Sequence, residues 1–173
     1  MNSIHSPLAA LASIIEALNA RSVLVCSRSE LTGLEQVCTQ FSAELTTVVG
    51  SNPVDALPNC RFDLVVIADC LEQLSVTEGQ QLLGRIRNIH SNHIAVLISP
   101  NESSINDSTS NDSTTWNAAE FYAFGMKKLA VFERIESTNL ILYTYAIESY
   151  NHKREWNTAR FWANPENFGR YWW

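Results

Sequence analysis

Hydrophobic and polar positions along this chain follow two periods, and the switches between them mark its elements. Leu8, Leu11, Ile15 and Leu18 recur at helical spacing behind Ser6-Pro7, a polar N-cap followed by proline at the first helical position. Ser22 to Cys26 is a short β-rich run and the first predicted strand. Leu31, Leu34, Val37, Cys38 and Phe41 return to helical spacing over residues 30–41. Leu45 to Val49 reads as a second strand, stopped by Gly50-Ser51-Asn52-Pro53. Residues 62–68 are apolar at nearly every position, as a central parallel strand buried on both faces requires. Thr77 to Ile89 is helical with Leu82, Leu83, Ile86 and Ile89 inward, and His93 to Ser99 is another buried strand. Trp116 to Phe124 is helical and ends at Gly125, a C′ glycine. Leu129 to Ile135 and Leu140 to Ile147 form a hairpin around Glu136-Ser137-Thr138-Asn139.

Strands that alternate with helices imply a mostly parallel sheet with helices on both faces, closed by the antiparallel hairpin. Residues 101–115 are almost all Asn, Asp, Ser or Thr, with Asn-Asp-Ser-Thr at 106–109 recurring at 111–114. They offer no apolar surface to bury and are expected to form a mobile polar loop. Only residues 50–61 separate the second strand from the third, too few for a helix and a further strand. The sheet is therefore expected to be truncated at that edge.

The segment Phe62-Asp63-Leu64-Val65-Val66-Ile67-Ala68-Asp69-Cys70-Leu71-Glu72-Gln73-Leu74 resembles the fourth strand and following turn of the class I S-adenosylmethionine-dependent methyltransferases. Their pattern reads roughly F-D-hydrophobic-hydrophobic-x-x-D-x-L-E-H-L. The terminal helix-glycine-strand-hairpin is similar to that family's ending, and the likeness extends over residues 20–148. It implies a single-domain α/β, Rossmann-like methyltransferase fold over residues 1–148, with S-adenosylmethionine as the cofactor to consider. Ligands of such sheets bind at the carboxyl ends of the strands, where strand order reverses.

The family's cofactor elements match this chain unevenly. After the first strand the family carries an acidic residue and several glycines. Here Cys26-Ser27-Arg28-Ser29-Glu30 has none before Gly33, and its side chains crowd the approach. Arg28 reads as a solvated loop arginine, or as an anion contact aided by the next helix N-terminus. The acid that holds the ribose has no counterpart in Gly50-Ser51-Asn52. Asp55-Ala56-Leu57-Pro58 resembles an acidic-x-x-Leu-Pro element beside the adenine, and reads equally as an ordinary turn. Asp69, Glu72 and Gln73 fall where the methyl-donor pocket is lined, but glutamine at 73 replaces a frequent histidine and is no general base. Glu72 also reads as a cap for its own turn, and Ser99-Pro100 offers no acid or base. The cofactor candidates are thus Cys26, Ser27, Arg28, Asp55, Asp69 and Glu72, and no residue is nominated as catalytic. The expected function is a methyltransferase-like binding or assembly module without efficient catalysis. Its rival is an S-adenosylmethionine-dependent methyltransferase of unknown substrate with a divergent pocket.

Charge and composition change this picture mainly at the C-terminus. Residues 1–148 carry 8 Lys+Arg and 16 Asp+Glu, whereas residues 149–173 carry 4 and 2. The tail is therefore a basic surface on an acidic protein. It interleaves Tyr150, Trp156, Phe161, Trp162, Phe168, Tyr171, Trp172 and Trp173 with Arg154, Arg160 and Arg170. Such a segment suits RNA stacking, a protein-partner hot spot, or aromatic packing over the shortened sheet edge. Packing on the domain is the expected arrangement, with a protein, a small molecule or RNA as the partner classes. The net charge of −6 gives no reason to expect a membrane surface. Cys26, Cys38, Cys60 and Cys70 lack paired metal spacing and are expected to be reduced thiols. His90 and His93 lack nearby co-ligands for a metal. The N-terminal stretch reads as neither signal peptide nor membrane span, so a cytoplasmic location is expected.

Overall fold

The computed structural model describes residues 6–50, 53–99, 116–133, 139–150, 159–161, 164–167 and 170. Helix α1 (Pro7–Leu18) starts where Ser6 accepts the Ala9 N–H at 3.1 Å, and it ends at Asn19 in the left-handed region. Then follow β1 (Ser22–Ser27), α2 (Leu34–Gln40), β2 (Glu44–Val49), β3 (Leu64–Ala68) and α3 (Val76–Arg85). A π-helical turn (Ile86–His90) leads into β4 (His93–Ile98). After α4 (Ala118–Ala123) the chain forms β5 (Lys127–Phe132), β6 (Leu140–Ala146) and a single turn, α5 (Ile147–Tyr150).

The six strands lie in the order β2-β1-β3-β4-β6-β5. The first four are parallel, and β6 inserts antiparallel between β4 and β5. Among the described residues no strand lies outside β2, so the sheet is truncated at that edge, as the 12 residues of 50–61 require. Residues 53–62 instead run along the α3 side, where Leu57 and Phe62 join the core.

Two apolar layers result. Leu24, Cys26, Val65, Ile67, Val96 and Tyr143 face α3 and α4. Val23, Val25, Val66, Leu97 and Leu142 face α1 and α2. Both faces of β3 are sealed, with every residue of it buried. Each such aliphatic side chain contributes on the order of 1.5–3 kcal/mol by leaving water. Among the described residues no helix is long and apolar enough to cross a membrane.

Several boundaries differ from expectation, among them β3, which begins at Leu64 rather than Phe62, and α4, which begins at Ala118 rather than Trp116. Helix α2 begins at Leu34 rather than residue 30, because Gly33 stands at φ 89 and leaves the helix no earlier start. Strand β5 begins two residues earlier than the run of apolar positions. Helix α3 gives way to the π turn at Ile86, which rotates the following residues. Ile89, expected inward, is 49% exposed, and His90 is buried in its place.

Asp63 ties the amino ends of the central strands together. Its Oδ2 accepts from the Arg21 N–H (2.8 Å), the Ser22 N–H (3.0 Å) and Ser22 Oγ (3.0 Å). Partial burial pushes this carboxyl up, but those hydrogen bonds and the nearby His93 outweigh it and hold it below the usual carboxylate range. His93 adds a second tie, with Nδ1 facing the Asp63 carbonyl (3.1 Å) and Nε2 facing Glu148 Oε2 (3.0 Å).

Candidate functional site at the crest of the sheet

The carboxyl ends of β1, β2, β3 and β4 open on one side of the sheet. Strand order reverses there, because β1 leads outward to β2 while β3 lies on its other flank. That reversal is where an open α/β sheet leaves a crevice for a ligand. Two turns meet at it, the one after Ser27 and the one after Ala68, whose strands are in register at those two residues.

The first turn is closed on itself. Ser27 is buried, and its Oγ donates to the Ser29 carbonyl at 2.6 Å. Its own carbonyl accepts from the Gly50 N–H at 3.1 Å, which pins the end of β2. Arg28, Ser29 and Glu30 are exposed around the outside of this turn. The N-terminus of α2 comes only six residues beyond Arg28, in a helix of two turns.

The second turn is drawn tight by Asp69, which takes φ 54 in the left-handed region. That conformation costs a residue with a Cβ roughly 1–2 kcal/mol, and aspartate is among the side chains that tolerate it. A 3-10 turn over Leu71–Gln73 follows. Glu72 then reaches across to β4, where Oε1 accepts the Ser99 N–H at 2.9 Å. Glu72 thus clamps the turn after β3 to the end of β4.

Cys26 and Cys70 lie beneath these turns. Both are fully buried, and the Cys70 thiol points to the Cys26 carbonyl at 3.8 Å. Burial pushes the Cys26 thiol up to about 12. The Cys70 thiol is raised as well, first by burial and then by Cys26, Glu72 and Asp69. Both therefore stay protonated and unreactive at neutral pH. Besides Glu30, the crest presents an exposed cation, Arg28, and an exposed carboxylate, Asp69. Among the described residues neither has an ion-pair partner. Such a pair can orient a polar ligand by charge-assisted hydrogen bonds.

Of the six candidates, Cys26, Ser27, Arg28, Asp69 and Glu72 gather at these adjoining turns. Asp55 stands apart from them. It lies in a 3-10 turn (Val54–Ala56) whose Val54 carbonyl accepts from Arg85 Nη1, at the last turn of α3. Ser51, Asn52, Pro100, the polar stretch 101–115 and most of the aromatic tail, including Trp156 and Trp162, lie outside the described residues.

His90 and His93 do not converge. His90 Nδ1 donates to the Cys60 carbonyl (3.0 Å), whereas His93 serves the base of the sheet. Among the described residues no group of three ligating side chains could hold a metal.

In the sequence Asp63 stands out only as part of the apolar-run pattern. Nor does any motif mark Trp116, whose buried ring packs against Gly79 of α3 and lies 5.2 Å from the Phe121 ring. The pairing of Asp63 with Ser22 spans 41 positions and leaves no periodic trace. Glycine inside the otherwise helical run 77–89 was the available signal for the Trp116 contact.

A family model described as a family of unknown function (DUF6231) matches residues 5–173. No curated protein matches the chain. Among solved structures, magnesium protoporphyrin IX methyltransferase from Synechocystis PCC 6803, with bound S-adenosylmethionine, is similar over 80% of this chain and 77% of its own. The identity is 10% and the TM-score 0.52. The methyltransferase domain of a bacterial protein, CtHen1, is similar over 80% of this chain and 96% of its own, at 11% identity and a TM-score of 0.51. At such identities the likeness shows the fold. The chain has the Rossmann-like α/β fold of S-adenosylmethionine-dependent methyltransferases.

Proposed function

The chain belongs to DUF6231, a family of unknown function, and from that premise we propose that it is a methyltransferase-fold binding or assembly module rather than an efficient catalyst. The closed turn after β1 carries this reading. A methyltransferase leaves this turn open with glycines, so that its backbone can approach the cofactor. In this chain the Ser27 hydroxyl fills the inside of the turn by bonding to the Ser29 carbonyl. The neighbouring positions carry side chains at Arg28, Ser29 and Glu30. These residues do not fit S-adenosylmethionine in the family's manner, and no methyl transfer is derived from them. The carboxylate of Glu72 is engaged with the Ser99 N–H, and the two thiols beneath are held protonated.

A second reading, a methyltransferase with a divergent pocket, is favoured by one observation. Asp69 sits exposed and strained at the end of the central strand, and backbone strain concentrates at functional sites. Thermal unfolding with S-adenosylmethionine decides between the two. A ligand present at 100 times its Kd adds about 2.7 kcal/mol of stability. In a domain of this length that raises Tm by about 5–10 °C. The binding-module reading expects no resolved shift at micromolar cofactor. A clear shift that Asp69→Ala abolishes would establish the methyltransferase reading instead. The interleaved Trp, Tyr and Arg of residues 149–173 support a protein or RNA partner for such a module.

A further inference from the structure

The sheet has two outer edges, and among the described residues only one of them is protected. Strand β5 carries Lys127 and Lys128 and slips register between Lys128 and Ala130. Lysines and bulges are two of the means by which edge strands avoid unwanted pairing. Strand β2 has neither. It runs in unbroken parallel register along β1, from Ser22↔Glu44 to Ser27↔Val49.

The direction of its free hydrogen-bonding groups follows from two bonds. The Glu44 N–H donates to the Arg21 carbonyl, and the Gly50 N–H donates to the Ser27 carbonyl. Even-numbered residues of β2 therefore turn their backbone groups toward β1. Leu45, Thr47 and Val49 turn theirs away from it. Among the described residues no strand pairs with that side, and Val49 is 54% exposed.

Side chains of the same three residues line a groove of about 640 Å³. Its opposite wall is the segment entering α2, with Glu30, Leu31 and Glu35. Glu44 stands at the head of the strand. Among the described residues none of the three carboxylates has an ion-pair partner. An unpaired strand edge thus borders an acidic groove with an apolar floor.

We propose that the β2 edge is a docking site for an extended segment of a partner protein in which basic residues alternate with aliphatic ones. The incoming backbone would pair with the N–H and C=O groups of Leu45, Thr47 and Val49. Its Lys or Arg side chains, all on the groove face, would meet Glu30 and Glu35, and its aliphatic side chains, alternating onto the opposite face of the sheet, would lie beside Thr46 and Val48. Charge argues against a second copy in this position, because self-pairing would bring two sets of Glu30, Glu35 and Glu44 together. The site uses neither Arg28 nor Asp69, so it stands or falls separately from cofactor binding.

The test uses the full chain and two fluorescein-labelled octapeptides, one alternating Lys and Val and the other alternating Glu and Val. Fluorescence polarisation should show the Lys-Val peptide binding, more weakly as salt rises. The Glu-Val peptide should bind on the order of tenfold less tightly. The paired surface change Glu30→Lys with Glu35→Lys should reverse that preference. Thr47→Pro removes one outward N–H, spares the bonds to β1, and should weaken the Lys-Val peptide by a similar factor. Amide exchange at Leu45, Thr47 and Val49 should slow when that peptide is added. The proposal is overturned if neither peptide binds, if both bind equally, or if the charge-reversed variant keeps the original preference. Should Thr47→Pro fail to fold, the charge-reversed variant decides alone. A dimer of the unmodified chain that Thr47→Pro dissolves would place a second copy on this edge and also overturn the proposal.

Discussion

Two glycines of α3 should respond with opposite signs to the same substitution. In a helix interior Gly→Ala normally stabilises by about 0.5–1 kcal/mol, because glycine loses more backbone freedom on folding. At Gly84 that gain should appear in full. An added Cβ there meets only Phe124 Cε1 at 3.9 Å, an ordinary contact. At Gly79 the Cβ would run into Trp116 Cζ2, with Trp116 Cη2 at 2.9 Å and Leu71 Cδ2 at 3.2 Å. The indole cannot swing aside freely, being buried and packed against Phe121. Overfilling a packed core costs about 1–3 kcal/mol. Set against the helical gain, Gly79→Ala should lose about 0.5–2 kcal/mol net, which for a chain of this length lowers Tm by about 1–8 °C. Urea unfolding of both variants with unchanged m-values measures the two signs directly. Trp116→Leu in the Gly79→Ala background should recover part of the loss, since the two side chains share one space. A Gly79→Ala protein as stable as its Gly84→Ala counterpart would refute the packing of Trp116 on α3.

Other outcomes follow from single contacts. Glu72→Ala should cost about 1–3 kcal/mol by chemical denaturation, because the partly buried Ser99 N–H loses its acceptor, whereas Glu72→Gln keeps an acceptor and should cost less. The depressed carboxyl of Asp63 binds its proton more weakly when folded than when unfolded. Its stabilisation is therefore present above the unfolded value near pH 4 and is lost as pH falls through the lower folded value. Asp63→Asn should be less stable at neutral pH, and its unfolding midpoint should fall less steeply with pH below about 4 than that of the parent chain. Thiol labelling of the native protein followed by mass spectrometry should modify the exposed Cys60 first. Cys26, Cys38 and Cys70 are buried and should react only on unfolding; early labelling of Cys26 would contradict the sealed core beneath the crest.

The parts of the fold legible in the sequence were those written in short-range pattern. Ser6-Pro7 announced α1 because a cap and a fixed φ act within one turn. The uninterrupted apolar run before Asp69 announced a strand buried on both faces, and the brevity of 50–61 announced that no further strand comes between β2 and β3. Ile89 misled because its period was extended through a π turn, where one extra residue per turn rotates the face outward. The site was less legible for a related reason. Ser27 and Glu72 stood out as candidates by resemblance. Their actual bonds, to the Ser29 carbonyl and to the Ser99 N–H, depend on where two chain segments meet in space. The three hydrogen bonds that Asp63 accepts from Arg21 and Ser22 are longer in range still, and no local spacing carries them.

The insertion of β6 between β4 and β5 sets a schedule for the chain as it is made. Strand β4 ends at Ile98, and its antiparallel partner begins at Leu140, 42 residues later. At about 5–20 residues per second of synthesis, the free side of β4 stands open for roughly 2–8 s after the strand itself has been made. During that interval Ile94, Val96, Leu97 and Ile98, all deeply buried in the finished protein, present an apolar ladder with no partner. The nascent chain is most exposed to chaperone capture or mispairing in that window, and the arrival of Leu140–Ala146 closes it.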